Sequence, residues 1–316
     1  MAISSTQSFV DVEEYRAAIR PSNTEFLLTA RSQPFRSAVT KVDLIDVGMQ
    51  NLTENVARVW QILVQTPRTG FVFTARPGLP MRHQGAELAD NEIALIPKGV
   101  EVRQRTSGPI SVASLSLPED SVAPHIKTLF GQDLTPPRDH FTFTVSPAMM
   151  TRLRHLHNAV IGLAETSPDI IANAGVARAL DSSLTEAALN CLAVGRLVET
   201  RVAQRNHAAL VKRLYELVRR RPEEPIYLLD VCAMLGVSQR TLHLSCHDQL
   251  GIGPKQYLLL RRLHQAHKAL QTGSPMTTSV TNIAMRFGFW QLGRFSATYR
   301  SIFGEPPSAT LRRESN

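Results

Sequence analysis

The sequence LLDVCAMLGVSQRTLHLSCHDQL, residues 228–250, has the pattern of two short helices joined by a tight turn. Apolar residues recur at helical spacing and stop at Gly236, a residue that tolerates the positive φ of a sharp helix end. Val237 fills the inside of the turn, and Ser238 can cap the next helix by accepting from its free N–H groups. The stretch therefore predicts a helix-turn-helix unit.

A second stretch, VTNIAMRFGFWQLGRFSATYRSIFG at residues 280–304, repeats the pattern, with Gly288 in the place of Gly236. Its second helix is predicted to run from Gln291 to Phe303 and to bury Phe295, Tyr299 and Phe303, which are four residues apart. One isolated copy leaves an ordinary helical hairpin open as an alternative, but a second copy makes that alternative much weaker. Between them, residues 254–271 predict a connecting helix of roughly 27 Å, at about 1.5 Å per residue. This length is comparable with one turn of B-DNA, about 34 Å.

The net positive charge of the chain lies entirely in its C-terminal part. Residues 205–316 carry a net charge of +9 and residues 1–204 carry −1, which together give the +8 of the whole chain. A solubilising surface is one explanation of such a charge. A segregated basic domain also attracts the phosphate backbone of a nucleic acid, and we therefore predict double-stranded DNA as a partner.

Residues 207–313 resemble the AraC/XylS family of transcriptional regulators. The resemblance depends on LGVSQRTL, on GPKQYLLLRRLHQAHKAL and on the closing FGEPPS. The segment FWQLGRF looks most like regulators related to the ethanolamine-utilisation activator. The resemblance implies two recognition helices in successive major-groove turns, a homodimer, and RNA polymerase as a partner if the protein is an activator.

Eight polar residues of the two units are predicted to contact DNA. Arg240 can pair with guanine and Gln239 with adenine, while His243 can donate to a purine N7 or to phosphate. Each can instead be a backbone contact. The predicted contact residues are Ser238, Gln239, Arg240, His243, Gln291, Arg294, Thr298 and Arg300.

The N-terminal part of the chain predicts β structure followed by helices. Residues 24–118 contain short runs of strand formers broken by turn residues, which favours an antiparallel barrel or sandwich. The run NEIALIPKGVEVRQRTSG resembles the cupin-like barrel of many AraC-type regulators. We therefore predict an α+β multidomain chain: a cupin-like sensing domain (1–120), a helical dimerisation and linker region (121–204), and an all-α double helix-turn-helix domain (205–316).

The predicted helix that contains VARALDSSLTEAALNCLAVGRLV has an apolar stripe, which can be intramolecular core or a dimer contact. The barrel is predicted to bind a small-molecule effector, because polar or aromatic groups among apolar strand residues can orient a ligand. The candidate effector residues are Arg31, Trp60, Phe73 and His83.

Several classes of protein are not expected. A single histidine in residues 1–120 argues against a catalytic metal site, and phosphate loops and nucleophile elbows are missing, so we predict no enzyme, no metal and no cofactor. The sequence contains neither a long apolar run nor a signal peptide, which predicts a cytoplasmic protein without membrane contact. Cys191, Cys232 and Cys246 are widely spaced and are interpreted as buried apolar residues, with redox sensing as the alternative.

The prediction is a sequence-specific transcriptional regulator controlled by an effector in its N-terminal domain. Two alternatives stay open: a regulator that a partner protein switches, and an architectural DNA-binding protein of low specificity, which would show a steep salt dependence.

Overall fold

The computed structural model describes residues 2–19, 22–30, 33–64, 66–130, 141–198, 202–221 and 224–312. The strands are β1 (Ile3–Phe9), β2 (Ser22–Ala30), β3 (Ser37–Asp43), β4 (Gly48–Glu54), β5 (Ala57–Val64), β6 (Arg68–Thr74), β7 (Met81–His83), β8 (Ala86–Glu87), β9 (Glu92–Ile96), β10 (Glu101–Thr106), β11 (Ile110–Pro118), β12 (Phe141–Thr144) and β13 (Arg196–Leu197). The helices are α1 (Val12–Ala18), α2 (Glu119–Phe130), α3 (Pro147–Thr166), α4 (Pro168–Ala172), α5 (Ala174–Val194), α6 (Val202–Arg219), α7 (Leu228–Leu235), α8 (Gln239–Leu250), α9 (Pro254–Thr272), α10 (Val280–Arg286), α11 (Leu292–Phe303) and α12 (Pro307–Arg312).

The strands form two antiparallel sheets that face each other. The large sheet has the order β1-β3-β4-β11-β6-β9-β12-β13, and the small sheet has the order β2-β5-β10-β7-β8. From α6 onward the described chain is helical. The predicted α+β class, with an antiparallel β domain before an all-α double helix-turn-helix domain, is therefore confirmed.

The strand prediction was incomplete in two places. Strand β1 was not predicted, because ISSTQSF is polar and largely exposed at the edge of the large sheet and so gives no apolar signal. Strands β12 and β13 lie inside the region predicted to be helical and pair with each other at the far edge of the same sheet. They have four and two residues, too few for a period to be detected.

Helices α3 and α5 cover the outer face of the large sheet. The apolar stripe of α5 lies in this core through Leu184, Ala188 and Leu192, so these residues are intramolecular core and not a dimer contact. The buried carboxylate of Asp181 on α5 accepts from the backbone N–H groups of residues 45–47 at 2.8–3.0 Å. Helix α5 thereby also holds the turn between β3 and β4.

The three cysteines are buried and unpaired by disulfides, as the apolar interpretation predicts. Burial raises the pKa of Cys246 to about 12 and that of Cys191 to about 11. Since the thiolate is the reactive form, both are unreactive thiols at neutral pH. Among the helices described, none has the combination of length and apolarity needed to span a bilayer.

Candidate DNA-binding interface and effector cavity

The first helix-turn-helix unit, α7 and α8, is built from local signals in the sequence. Gly236 ends α7 with φ +66°, in the left-handed region that favours glycine. The Ser238 hydroxyl accepts from the Thr241 backbone N–H at 3.1 Å and caps α8. Leu242 and Cys246 face the core, so the opposite side of α8 lies in solvent. The predicted turn and cap are confirmed, and Cys246 is buried as predicted.

The second unit, α10 and α11, has the same construction. Gly288 has φ +76° at the turn, and the buried face of α11 contains Phe295, Tyr299 and Phe303 as predicted. Helix α11 begins at Leu292, one residue later than the sequence predicted, and Gln291 lies at its cap position. The predicted connecting helix is α9, whose 19 residues correspond to about 28 Å.

Arg262 on α9 joins the two units, a role that the sequence did not predict. Its guanidinium lies over the rings of Tyr227, before α7, and Phe289, before α11, with centroid distances of 5.4 and 5.1 Å. It also donates to the Gly288 carbonyl oxygen at 3.3 Å. A Cβ on Gly288 would lie 2.7 Å from Pro225 Cβ. The turn of the second unit therefore packs directly against the segment that enters the first.

The structure leaves most of the predicted DNA-contact residues accessible. The exposed residues are Ser238, Gln239, Arg240, His243, Gln291, Arg294 and Arg300. Thr298 is half-buried, and its hydroxyl donates to the Arg294 carbonyl oxygen at 2.9 Å, within its own helix. The Ser238 hydroxyl serves as a cap, so its remaining capacity for DNA is reduced. The other six have side chains available for bases or phosphates.

Trp290 is a further exposed residue beside this surface. Its side chain is 68% exposed, directly before the N-terminal end of α11. Trp290 belongs to the FWQLGRF segment that carries the family resemblance, but it is not among the predicted DNA-contact residues. The signal that could have found it is a large aromatic residue at a turn position where Phe289 already fills the core.

A cavity of about 170 Å³ lies between the two sheets. Of the four predicted effector residues, Trp60 lines it. His83 is buried on β7 opposite Gln104, which lines the cavity, but His83 itself is not part of the lining. Phe73 lies on the other face of the large sheet, with its ring 5.5 Å from that of His157 on α3. Arg31 lies outside the described residues.

The small sheet separates this cavity from the helix-turn-helix domain. Alternate residues of a strand point to opposite faces, and on β5 Trp60 lines the cavity while its neighbour Gln61 points away from it. On β10 the cavity residue Gln104 lies between Arg103 and Arg105. Arg103 donates to Gln249 at the end of α8, at 3.5 Å, and Arg105 packs against Gly251 directly after it.

A polar cluster ties strand β2 of the small sheet to the connecting helix α9. Tyr257 donates from its hydroxyl to Glu25 Oε2 at 2.9 Å, and Arg261 Nε lies 3.2 Å from Glu25 Oε1. Three residues further along α9, His264 Nε2 accepts from the Leu28 backbone N–H at 3.0 Å. Burial raises the pKa of Glu25, and the positive charge of Arg261 opposes this rise. The connecting helix is thus fixed to the barrel at successive turns.

The two histidines of α3 lie on different faces of the helix. His155 is exposed and His157 is buried, as expected of residues two apart on a helix. Within the described ranges, no three His, Cys, Asp or Glu side chains converge as a metal site.

Comparison with known proteins places the C-terminal domain in a family. The family described as "Helix-turn-helix domain" matches residues 231–313. The chain is 33% identical over 103 residues to a probable thc operon regulatory protein of Rhodococcus erythropolis. The aligned residues make up 33% of this chain and 31% of that protein. This chain is 34% identical over 102 residues to the XylDLEGF operon transcriptional activator of Pseudomonas putida, 32% of either chain. The match thus spans about a third of the length of these curated relatives.

The fold and these matches together define the C-terminal part as a double helix-turn-helix DNA-binding domain. This C-terminal domain is of the AraC/XylS type. The ethanolamine-type subfamily stays a prediction.

The solved structures that are similar to the chain include two regulators of this type. The AraC-like transcriptional activator CuxR aligns with 84% of this chain and 96% of its own, with 16% identity and a TM-score of 0.42. A probable AraC family transcriptional regulator from Rhodopseudomonas palustris CGA009 aligns with 33% of this chain and 96% of its own, with 33% identity and a TM-score of 0.31.

Proposed function

We propose that this protein is a sequence-specific DNA-binding regulator of transcription, controlled by a small molecule that binds in its N-terminal barrel. The observation that carries the proposal is the pair of exposed recognition-helix ends, with Gln239 and Arg240 on one and Gln291 and Arg294 on the other. Arginine and glutamine side chains are suited to guanine and adenine edges in the major groove. The domain that presents them also carries the whole net positive charge of the chain.

The contacts around α9 support recognition of two adjacent segments of duplex. The Arg262 contacts to Tyr227, Phe289 and Gly288 limit independent movement of the two units. A rigid pair reads a fixed spacing between half-sites, because a change in spacing would remove one helix from its groove.

The position of the small sheet supports control by a ligand. Its inner face lines the cavity through Trp60 and Gln104, and its outer face contacts α8 and α9 through Arg103 and Glu25. A ligand that prefers one position of these strands would change the position of the recognition helices. The size of this effect is limited by the ligand's difference in affinity between the two states. A partner-protein switch does not need a cavity, so the cavity favours a metabolite.

The proposal also includes homodimer formation and, if the protein is an activator, contact with RNA polymerase. The described stripe on α5 is internal, so a dimer would use another surface.

The proposal is tested by selecting genomic DNA fragments with the full-length chain at near-physiological salt. We expect an enriched motif with two half-sites about one helical turn apart. Uniform binding of all fragments, lost with modest added salt, would instead support the architectural alternative.

Replacement of Arg240 should separate base reading from backbone contact. We expect Arg240→Ala to weaken binding to the selected site by about 1 to 3 kcal/mol and to relax the preference at one base pair. Arg300 lies near the C-terminal end of α11, and Arg300→Ala should weaken binding to all sequences similarly. The dissociation constants of both variants are measured by fluorescence anisotropy on matched and scrambled duplexes. Equal losses on every duplex for both variants would make Arg240 a phosphate contact.

A further inference from the structure

The cavity between the sheets has the size of a molecule with one ring. Its volume is about 170 Å³, and an apolar cavity of about 150 Å³ is known to hold benzene. Aliphatic side chains from both sheets form most of the wall, among them Leu52, Ile62, Val72, Ile96 and Val112. The main body of a ligand that fills it must therefore be apolar.

The wall also contains buried polar atoms that need a partner. Trp60 and Gln104 are opposite each other on β5 and β10 and are only 2% and 3% exposed. In the described part of the chain, Trp60 Nε1 and Gln104 Oε1 have no hydrogen-bond partner. The same holds for Gln50 Oε1, which belongs to the facing sheet. Buried polar groups in folded proteins are normally satisfied, so these atoms point to a ligand that supplies the missing hydrogen bonds.

A hydroxyl group matches these atoms. The Trp60 indole N–H can only donate, whereas the two glutamine oxygens can only accept. A hydroxyl both accepts and donates, so a single group can satisfy Trp60 and one of the glutamines. An apolar molecule without such a group would leave these buried atoms unpaired.

The charge of the wall argues against an ionised ligand. Among the described lining residues, Arg68 is the one that carries a formal charge. Its Nε donates to Ser116 Oγ at 3.0 Å, and its Nη2 donates to the Ser116 carbonyl oxygen at 2.7 Å and also to that of Asp46. These hydrogen bonds occupy the donors of the guanidinium with groups of the protein itself. A carboxylate in the cavity would lose its hydration in exchange for a cation that is already engaged.

We propose that the cavity binds an uncharged molecule of one ring or similar size that carries a hydroxyl group, held by Trp60 and by Gln104 or Gln50. The proposal rests on the proposed function, in which the barrel binds the effector, and it names the chemical class of that effector.

The proposal is tested by fluorescence titration of the full-length chain. The sequence has two tryptophans, so Trp290→Phe leaves Trp60 as the sole indole reporter, next to the cavity. Three molecules with one ring serve as probes: benzyl alcohol, toluene and benzoate. We expect benzyl alcohol to change the Trp60 emission with at least tenfold tighter apparent binding than either of the others. At least one of the two variants Gln104→Leu and Gln50→Leu, made in the same background, should remove the advantage of the alcohol over toluene while toluene still binds, and an unchanged preference in both would contradict the proposal.

Three results would overturn the assignment: benzoate binds most tightly, toluene binds as tightly as benzyl alcohol, or benzyl alcohol does not bind below its solubility limit. A parallel measurement of affinity for the selected DNA site separates this proposal from the proposed function. If benzyl alcohol binds at Trp60 without changing DNA affinity, ligand control fails and the chemical class stands. If DNA affinity responds to another class of molecule and the alcohol does not bind, the chemical class fails alone.

Discussion

Gly288→Ala is expected to lower the free energy of unfolding of the helix-turn-helix domain by about 2 to 5 kcal/mol. An alanine at φ +76° carries about 1 to 2 kcal/mol of backbone strain. Its Cβ would also lie 2.7 Å from Pro225 Cβ, an overpacked contact that costs about 1 to 3 kcal/mol. Urea unfolding of the full-length variant, followed by far-UV circular dichroism, measures the loss.

Gly293→Ala is the matched control for this substitution. Gly293 lies in the first turn of α11, and a Cβ there would have no heavy atom within 4 Å. Alanine in a helix is favoured over glycine by about 0.5 to 1 kcal/mol, so this variant should be as stable as the parent or slightly more stable. If the two variants unfold at the same urea concentration, the packing between Gly288 and Pro225 does not contribute to stability. The same result would remove the argument that the two units are held together at this turn.

Lowering the pH from 7 to 5 is expected to remove about 2 kcal/mol from the free energy of unfolding through His264 alone. Burial is the main cause that lowers its pKa to about 3, and the nearby His267 acts in the same direction. In the unfolded chain a histidine has a pKa of about 6.5. Below pH 6.5 the imidazole therefore binds a proton in the unfolded chain but stays neutral in the folded chain. The contribution is complete above pH 6.5 and is lost as the pH falls towards 3.

His157 should add a similar loss of unfolding free energy in the core between the large sheet and α3. Burial against the large sheet lowers its pKa to about 4. The two histidines act in different places, since His264 accepts from the Leu28 N–H between the barrel and α9. Acid should therefore weaken the contact between the domains as well as the packing of α3.

Comparison of the free energy of unfolding at pH 7 and pH 5 in the parent and in His264→Gln isolates this effect. The variant should lose about 2 kcal/mol less than the parent over this range. His155→Gln, at an exposed position on α3, should behave as the parent does. An equal loss in the parent and in His264→Gln would show that His264 does not titrate in this way.

The recognition helices were predictable because their signals are local. The positive φ at Gly236, the Ser238 cap and the buried spacing of Phe295, Tyr299 and Phe303 each depend on residues close together in the chain. Glycine and capping residues have the same preference in a peptide as in a folded domain, so their order along the chain is informative.

The cavity between the sheets was predicted less well, because it depends on which face of each strand points inward. Strand β6 shows the difficulty: Phe71 and Phe73 pack against the helices outside the large sheet, while Val72 points into the barrel. Both faces are buried, so the strand shows no alternation that would mark an inner face. Phe73 and Trp60 were equally good candidates, and of the two Trp60 lines the cavity.

By itself, the sequence determined the two helix-turn-helix units, the connecting helix, the segregated charge and the antiparallel character of the N-terminal half. Tertiary structure alone decided the cavity, the Arg262 contacts and the cluster that joins Glu25 to Tyr257 and Arg261. These features bring together residues more than 25 and up to 236 positions apart, such as Leu28 and His264. Helical period and capping act within a few residues, whereas such pairings depend on how complete sheets and helices pack against one another.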